Sequence, residues 1–235
     1  LRASENQKIL VNKKDIIPEI KSVKEKMKLF TASVLNGNHK GFKGDKITDV
    51  VNIGIGGSDL GPSMVVESLS HYKTDLNTYF ISNVDGDHLN EVLSKVNPET
   101  TIFIIVSKTF TTIETLTNAN SVRSWFLKSA SENDISKHFI AVSSNVEKAI
   151  EYGISSENIF PMWDWVGGRF SLWSSVGLSI SLSIGYEKFH ELLEGARNMD
   201  LHFRNNEFSD NIPVLMACLS LWYNNFFNYQ THAII

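Results

Sequence analysis

The sequence predicts an α/β fold with a doubly wound, five-stranded parallel sheet, followed by the helices of a second domain. Five short segments rich in Ile, Val and Phe alternate with helical patterns between residues 47 and 160. The third of these segments, 101–106, is apolar after its first residue, which is typical of a strand buried on both faces. After residue 170 the strand patterns stop and only helical patterns follow.

The order of elements along the chain supports this fold. An amphipathic helix is predicted over 15–35, where apolar residues recur at helical spacing. The predicted strands are 47–53, 78–82, 101–106, 138–143 and 158–160. The predicted helices between and after them are 60–71, 88–97, 112–130, 145–151, 172–184, 187–203 and 212–227. We therefore expect an N-terminal segment (1–15), a first domain (16–185) and the helical start of a second domain (186–235).

Composition and charge exclude several classes of protein. The 235 residues include 22 Lys and Arg against 26 Asp and Glu, for a net charge of −4. This balance lacks the basic surface that nucleic acids or anionic membranes attract, so we expect neither as a partner. No apolar stretch reaches the roughly 18 residues of a membrane span. The single cysteine, Cys218, excludes an internal disulfide, and its apolar neighbours predict a buried thiol.

A glycine-rich segment follows the first predicted strand. This glycine turn, residues 54–61, would let backbone N–H groups approach an anion at the start of the next helix. A dinucleotide fingerprint fails at Asp59, where Gly or Ala is required, and a P-loop fails at Pro62, where Lys is required. The alternative is a tight strand-to-helix connection with no ligand.

A hydroxyl-rich segment follows the third predicted strand. This serine loop, residues 107–112, carries four hydroxyls and the Lys108 ammonium, which together suit a phosphate monoester. Thr111 and Glu114 have capping-box spacing, so the alternative is that the hydroxyls only cap a helix. In a flavodoxin-like strand order, 2-1-3-4-5, the first and third strands are neighbours at the switch point, which would bring this loop and the glycine turn to one pocket.

A third segment follows the last predicted strand. This arginine loop, residues 163–171, has Gly167 and Gly168 directly before Arg169. The two glycines permit a sharp turn, and a guanidinium suits a phosphate or a developing oxyanion. The alternative is a surface arginine paired with Asp164.

The three loops, in this order, resemble the glucose-6-phosphate isomerase (phosphoglucose isomerase) family. The resemblance rests on Gly-Ile-Gly-Gly-Ser at 54–58, Ser-Lys-Thr-Phe-Thr-Thr at 107–112 and the sequence around Gly-Gly-Arg-Phe-Ser at 167–171, and it covers essentially the whole chain. It implies a sugar-isomerase domain that interconverts glucose 6-phosphate and fructose 6-phosphate. It also implies a cytoplasmic homodimer of glycolysis and gluconeogenesis that uses no cofactor and no metal.

The resemblance also implies roles for individual residues. Ser107, Thr109 and Thr112, with the backbone at Lys108, would hold the sugar phosphate. The same pocket would be lined from its other side by Gly57 and Ser58. Arg169 would lie beside the carbons that exchange a proton and stabilise the enediolate.

One part of the family pattern is missing. The family places its catalytic Glu in a Met-Glu-Ser-Asn-Gly-Lys stretch, which this sequence lacks, and its ring-opening His and Lys lie further on. The chain begins without Met and ends on apolar residues, so we expect it to be part of a longer protein. Two other hypotheses are a sugar-phosphate sensor without catalysis, which would not need Arg169, and an isomerase of a different sugar phosphate.

Overall fold

The computed structural model describes residues 1–233. They form two compact units: Leu1 with residues 3–191, and Arg2 with the described residues from 192 onward. The strands are β1 (Leu10–Val11), β2 (Lys14–Asp15), β3 (Asp49–Ile53), β4 (Asn77–Ile81), β5 (Thr101–Val106), β6 (Phe139–Ser143) and β7 (Ile159–Pro161). The helices are α1 (Ile17–Leu35), α2 (Leu60–Ser68), α3 (Gly86–Lys95), α4 (Ile113–Phe126), α5 (Ile135–His138), α6 (Val146–Glu151), α7 (Leu178–Ile184), α8 (Tyr186–Asn205) and α9 (Ile212–Phe227).

The main sheet is parallel throughout, in the order β4-β3-β5-β6-β7. This is the predicted order 2-1-3-4-5, and each predicted strand lies within two residues of the observed one. Ile53 pairs with both Ile81 and Ile105, so β3, β4 and β5 reach the same level at their carboxyl ends. The loops that follow these strands therefore start side by side.

Helices cover both faces of the sheet, as the doubly wound prediction requires. On one face, Phe103 of β5 packs edge-on against Phe126 of α4 at 6.2 Å, within a core cluster that also includes residues of α3. The alternate residues of the strands face the other side, where every residue of α7 is buried. The Thr31 hydroxyl of α1 lies 2.8 Å from the Ser181 hydroxyl of α7, which joins two helices of this layer.

Several local predictions were wrong at their boundaries. The antiparallel pair β1–β2 falls in the predicted N-terminal segment, and its turn uses Asn12 and Lys13, both with positive φ. Thr111 does not cap α4, because Thr112 is the N-cap residue and makes no side-chain capping bond. The predicted helix over 172–184 is regular only in α7, after two 3-10 turns at Gly168–Trp173 and Ser175–Gly177.

The second unit exposes apolar residues. Among the residues that the structure describes, none in α9 is buried, and Trp222, Phe226 and Phe227 are more than half exposed. Cys218 is exposed with them, so the prediction of a buried thiol was wrong. The apolar run around it forms a helix, but no described part of the unit covers that helix. The predicted domain boundary at residue 185 stays a prediction. No helix within residues 1–233 is long and apolar enough to cross a membrane.

Candidate active site

The glycine turn begins where β3 ends and folds back at once. Gly56 has a φ of +62°, which favours glycine, and residues Gly56–Ser58 form a 3-10 turn ahead of α2. The Ser58 amide donates to the Ile55 carbonyl at 3.3 Å and the Asp59 amide to the Gly56 carbonyl at 3.1 Å. Within residues 1–233 the Ser58 hydroxyl has no hydrogen-bond partner, so it is available to a ligand.

The glycine turn touches the arginine loop directly. A Cβ built on Gly57 would lie 1.8 Å from the carbonyl oxygen of Gly168, so only glycine fits at position 57. The Ser171 hydroxyl lies within hydrogen-bonding distance of the Gly57 carbonyl, at 3.1 Å, and of the Gly168 carbonyl, at 2.7 Å. Sequence spacing gave no sign of this contact, which joins residues more than 100 positions apart.

The serine loop is anchored through a strained residue. Phe110 has a φ of +53°, a conformation that costs a non-glycine residue about 1–2 kcal/mol. Its side chain is buried and packs against the Tyr152 ring at 5.7 Å, which offsets that cost. Because Phe110 points inward, Thr109 and Thr111 on either side are exposed, with their hydroxyls 2.6 Å apart.

The remaining hydroxyls of the serine loop form a short chain. The buried Ser107 hydroxyl donates to the Thr112 hydroxyl at 3.1 Å. Since the Thr112 oxygen accepts this bond, its own O–H is left to donate to an anion. The loop therefore presents hydroxyl donors beyond the carboxyl end of β5, where the switch point was predicted.

Lys108 joins the serine loop to the arginine loop. Its ammonium donates to the carbonyls of Asp164 at 2.6 Å and Val166 at 3.1 Å. Its own carbonyl accepts from the hydroxyls of Ser143, the last residue of β6, at 2.9 Å and of Ser144, the next residue, at 2.7 Å. The Lys108 ammonium therefore binds the arginine loop, and its positive charge lies where the serine loop meets the arginine loop.

Arg169 is exposed and holds no carboxylate. Among residues 1–233 it makes no ion pair, and Asp164 is not its partner. Its guanidinium carbon lies 5.4 Å from the centre of the Phe170 ring, a cation–π contact. Its charge is therefore not neutralised by an acid of the described chain and is free to meet an anionic group.

The arginine loop is also fixed to α1. The Trp163 indole N–H donates to a Glu19 carboxylate oxygen at 2.8 Å, and the Trp163 ring stacks on Trp165 at 4.9 Å. Hydrogen bonds from Lys14 and from this indole hold the pKa of Glu19 below its usual range. The loop thus contacts the segments that follow β3 and β5 as well as α1, although sequence reasoning singled out only its arginine.

A buried carboxyl group, which sequence reasoning used only to reject a dinucleotide motif, lies at the start of α2. Asp59 is only 8% exposed. Burial raises the pKa of Asp59, against the opposing effects of a hydrogen bond from Ser82 and the charge of His88. No group of three or more His, Cys, Asp or Glu side chains within residues 1–233 is placed to hold a metal ion.

Replacing Asp59 by Asn should raise the melting temperature at neutral pH. A carboxyl whose pKa is raised by folding stabilises the fold only while it is protonated, and this contribution is lost as pH rises through the folded-state pKa. The gain from Asp59→Asn should therefore vanish near pH 3.8 and below, and grow as pH rises above it. Thermal unfolding from pH 3 to pH 8 measures the difference.

Asp85 provides the matched control for this prediction. It is an exposed helix cap whose pKa is lowered by hydrogen bonds from the backbone N–H groups of His88 and Asp87. Its stabilising effect is present above the unfolded value and is lost as pH falls. Asp85→Asn should thus lower stability at neutral pH, opposite to Asp59→Asn; equal responses of the two variants would contradict the burial argument.

The arrangement of the three loops defines a class of domain. A doubly wound sheet that gathers a glycine turn, a hydroxyl-rich loop and an arginine beyond its carboxyl ends is typical of domains with a small-anion site at the switch point. The family model described as phosphoglucose isomerase matches residues 1–235, and the chain belongs to this family.

Individual relatives agree with this assignment. The chain is 58% identical over its full length to the glucose-6-phosphate isomerase of Christiangramia forsetii, and it spans 43% of that relative. A crystal structure of a glucose-6-phosphate isomerase from Chlamydia trachomatis is similar over 95% of this chain and 41% of its own, with a TM-score of 0.80 and 30% identity. A hypothetical protein from Thermus thermophilus shares the fold at 23% identity, with a TM-score of 0.70 over 89% of this chain and 46% of its own.

Proposed function

We propose that this chain forms the phosphate-binding and enediolate-stabilising part of a glucose-6-phosphate isomerase. The whole protein would interconvert glucose 6-phosphate and fructose 6-phosphate. The observation that carries the proposal is the junction of three loops, made by Lys108 with the carbonyls of Asp164 and Val166 and by Ser171 with Gly57. These contacts bring hydroxyl donors to the same edge of the sheet as Arg169, which has no carboxylate partner in the part of the chain that the structure describes.

The phosphate group would be bound mainly by the serine loop. Thr109 and Thr112 supply hydroxyl donors there, Ser107 would donate once the phosphate replaces its bond to Thr112, and the backbone at Lys108 supplies a further donor. Gly57 brings the opposite wall of the pocket close, because its contact with Gly168 leaves no room for a side chain. Ser58, whose hydroxyl has no hydrogen-bond partner among the described residues, would complete this wall.

The reaction needs a base and an electrostatic partner for a developing oxyanion. Moving a proton between adjacent carbons passes through an enediolate, whose negative charge a fixed cation stabilises. Arg169 fits this second role because no carboxylate of the described chain neutralises it. Side chains can meet both needs, so we propose a reaction without cofactor or metal.

We propose that the general base comes from outside these 235 residues. The sequence lacks the family's Met-Glu-Ser-Asn-Gly-Lys stretch, and neither Glu114 nor Glu191 matches that motif. The whole protein would be a cytoplasmic homodimer, in which further chain completes the site. The 235-residue chain alone would then bind sugar phosphate without converting it.

Two measurements test the proposed function together. Isothermal titration calorimetry of the 235-residue chain with fructose 6-phosphate should show binding, and an isomerase assay of the same sample should show no turnover. The whole protein should turn over both sugar phosphates. Turnover by the 235-residue chain would contradict the external base. Failure of the whole protein to isomerise either sugar phosphate would overturn the proposal.

Replacing Thr109 and Thr112 by Val should weaken binding of fructose 6-phosphate. Each lost hydrogen bond costs roughly 1–2 kcal/mol, which is about a fivefold to 30-fold loss of affinity. Thr117→Val is the matched control, because Thr117 is an exposed residue of α4 and lies outside the three loops in the sequence. Calorimetry measures the dissociation constants of Thr109→Val, Thr112→Val and Thr117→Val. Equal affinities of the three variants would remove the phosphate role of the serine loop.

A further inference from the structure

A fully buried amide lies in the middle of the sheet, one residue before β3 ends. Asn52 is 0% exposed, and its neighbours in the strand are Val50, Val51 and Ile53. An amide in such surroundings is unfavourable unless it makes hydrogen bonds, so an aliphatic residue would be the ordinary choice here. Packing alone therefore does not explain why residue 52 is an asparagine.

The amide makes its bond with the glycine turn. The Asn52 Nδ2 donates to the Ser58 carbonyl at 2.9 Å, while the Asn52 Oδ1 has no partner in the described structure. A Cβ on Gly54 would lie 2.7 Å from the Ser58 Cβ, so the turn is folded tightly over the end of the strand. The Asn52 side chain thus connects β3 to the glycine turn.

Two neighbouring carbonyls of the turn are fixed from different directions. Asn52 holds the Ser58 carbonyl from the strand, and Ser171 holds the Gly57 carbonyl from the arginine loop. Fixing both peptide planes fixes the direction of the Ser58 Cα–Cβ bond, and with it the region that the Ser58 hydroxyl can reach. A shift of the Ser58 hydroxyl by about 1 Å would change its distance to a bound ligand enough to weaken their contact.

We infer that Asn52 is a positioning residue of the active site, which acts through the Ser58 turn without touching the substrate. The inference rests on the proposed isomerase function. It differs from a purely structural role because the effect of Asn52 on catalysis must depend on Ser58. Asn52 and Ser58 should therefore behave as a coupled pair.

A second buried asparagine gives the matched control. Asn158 is 6% exposed, and its Nδ2 donates to the carbonyls of Ser136 and, at 3.4 Å, Phe139. It lies directly before β7, at the amino edge of the sheet, away from the three loops. Asn158→Ala removes a comparable bond without touching the glycine turn.

The experiment is a double-mutant cycle on the whole protein. The variants are Asn52→Ala, Ser58→Ala, both together, and Asn158→Ala; kcat, KM and melting temperature are measured for each with fructose 6-phosphate. Asn52→Ala should lower kcat/KM about tenfold or more. In the Ser58→Ala background the same change should lower it by much less. Asn158→Ala should lower the melting temperature and leave kcat/KM near the parent value.

Other outcomes would overturn either the positioning role of Asn52 or the proposed function. Independent, multiplying effects of Asn52→Ala and Ser58→Ala would overturn the positioning role. So would equal kinetics of Asn52→Ala and Asn158→Ala. If Asn52→Ala does not fold, Asn52→Ser replaces it; failure of both to fold, while Asn158→Ala folds, would assign Asn52 to stability alone. An inactive parent protein would overturn the proposed function itself, and the inference with it.

Discussion

Replacing Gly57 by Ala is expected to destabilise the first unit and to weaken sugar-phosphate binding. The new methyl group would lie 1.8 Å from the Gly168 oxygen and 2.6 Å from its carbonyl carbon. Because both atoms belong to the backbone, no side-chain rotation relieves the clash, and one of the two loops must move. Such overpacking costs about 1–3 kcal/mol. In a unit of this size, this cost lowers the melting temperature by roughly 2–12 °C.

Gly168→Ala is the control for this prediction. A Cβ at position 168 would meet nothing within 4 Å, and Gly168 has no left-handed φ, so the change should alter stability by less than about 0.5 kcal/mol. Thermal unfolding and calorimetry with fructose 6-phosphate compare the two variants. Equal effects of Gly57→Ala and Gly168→Ala would show that the close approach of the loops is not what requires glycine.

Replacing Arg169 by Ala is expected to reduce turnover strongly while the fold keeps its stability. Arg169 is exposed and makes no ion pair within the described residues, so its loss leaves no buried charge without a partner. Removing one donor that stabilises a developing oxyanion lowers kcat by about 10²–10³. The expected pattern is therefore a large fall in kcat, a smaller change in KM and an unchanged melting temperature.

Arg169→Lys separates charge from geometry in the same assay. It keeps the positive charge but loses the planar fork of donors, so it should restore only part of the lost kcat. Steady-state kinetics of the whole protein with both sugar phosphates measure the three enzymes. A rise in KM with kcat intact would instead make Arg169 a substrate clamp, which would remove its role in stabilising the enediolate.

The sequence predicted best what depends on local pattern. Residues 101–106 were predicted as a strand to the residue, because five of the six are apolar, as expected for a strand buried on both faces. The alternation of strands and helices predicted a parallel sheet, and the flavodoxin-like order expected for that sheet was confirmed. The hairpin at residues 10–15 was missed because its strands are two residues long and its turn depends on positive φ at Asn12 and Lys13.

Contacts between distant residues could not be predicted from the chain. The bonds from Lys108 to Asp164 and Val166 join positions more than 50 residues apart through backbone carbonyls, which carry no signature in the sequence. The exposure of Cys218 was missed for a related reason: an apolar run predicts what a helix would bury, but not whether a partner is present. The sequence thus placed the glycine turn and the serine loop at one pocket, but it did not show the bonds from Lys108 and Ser171 that connect them to the arginine loop.

The way in which Lys108 holds the arginine loop bears on which positions are free to vary. Both of its acceptors are main-chain oxygens, which every residue type supplies, so the bonds place no demand on the side chains at 164 and 166. Position 57 is the opposite case, since it tolerates no Cβ. A library randomised at all three positions should therefore return many residue types at 164 and 166 and glycine alone at 57. Specificity could be engineered at the first two positions while the loop junction stays intact.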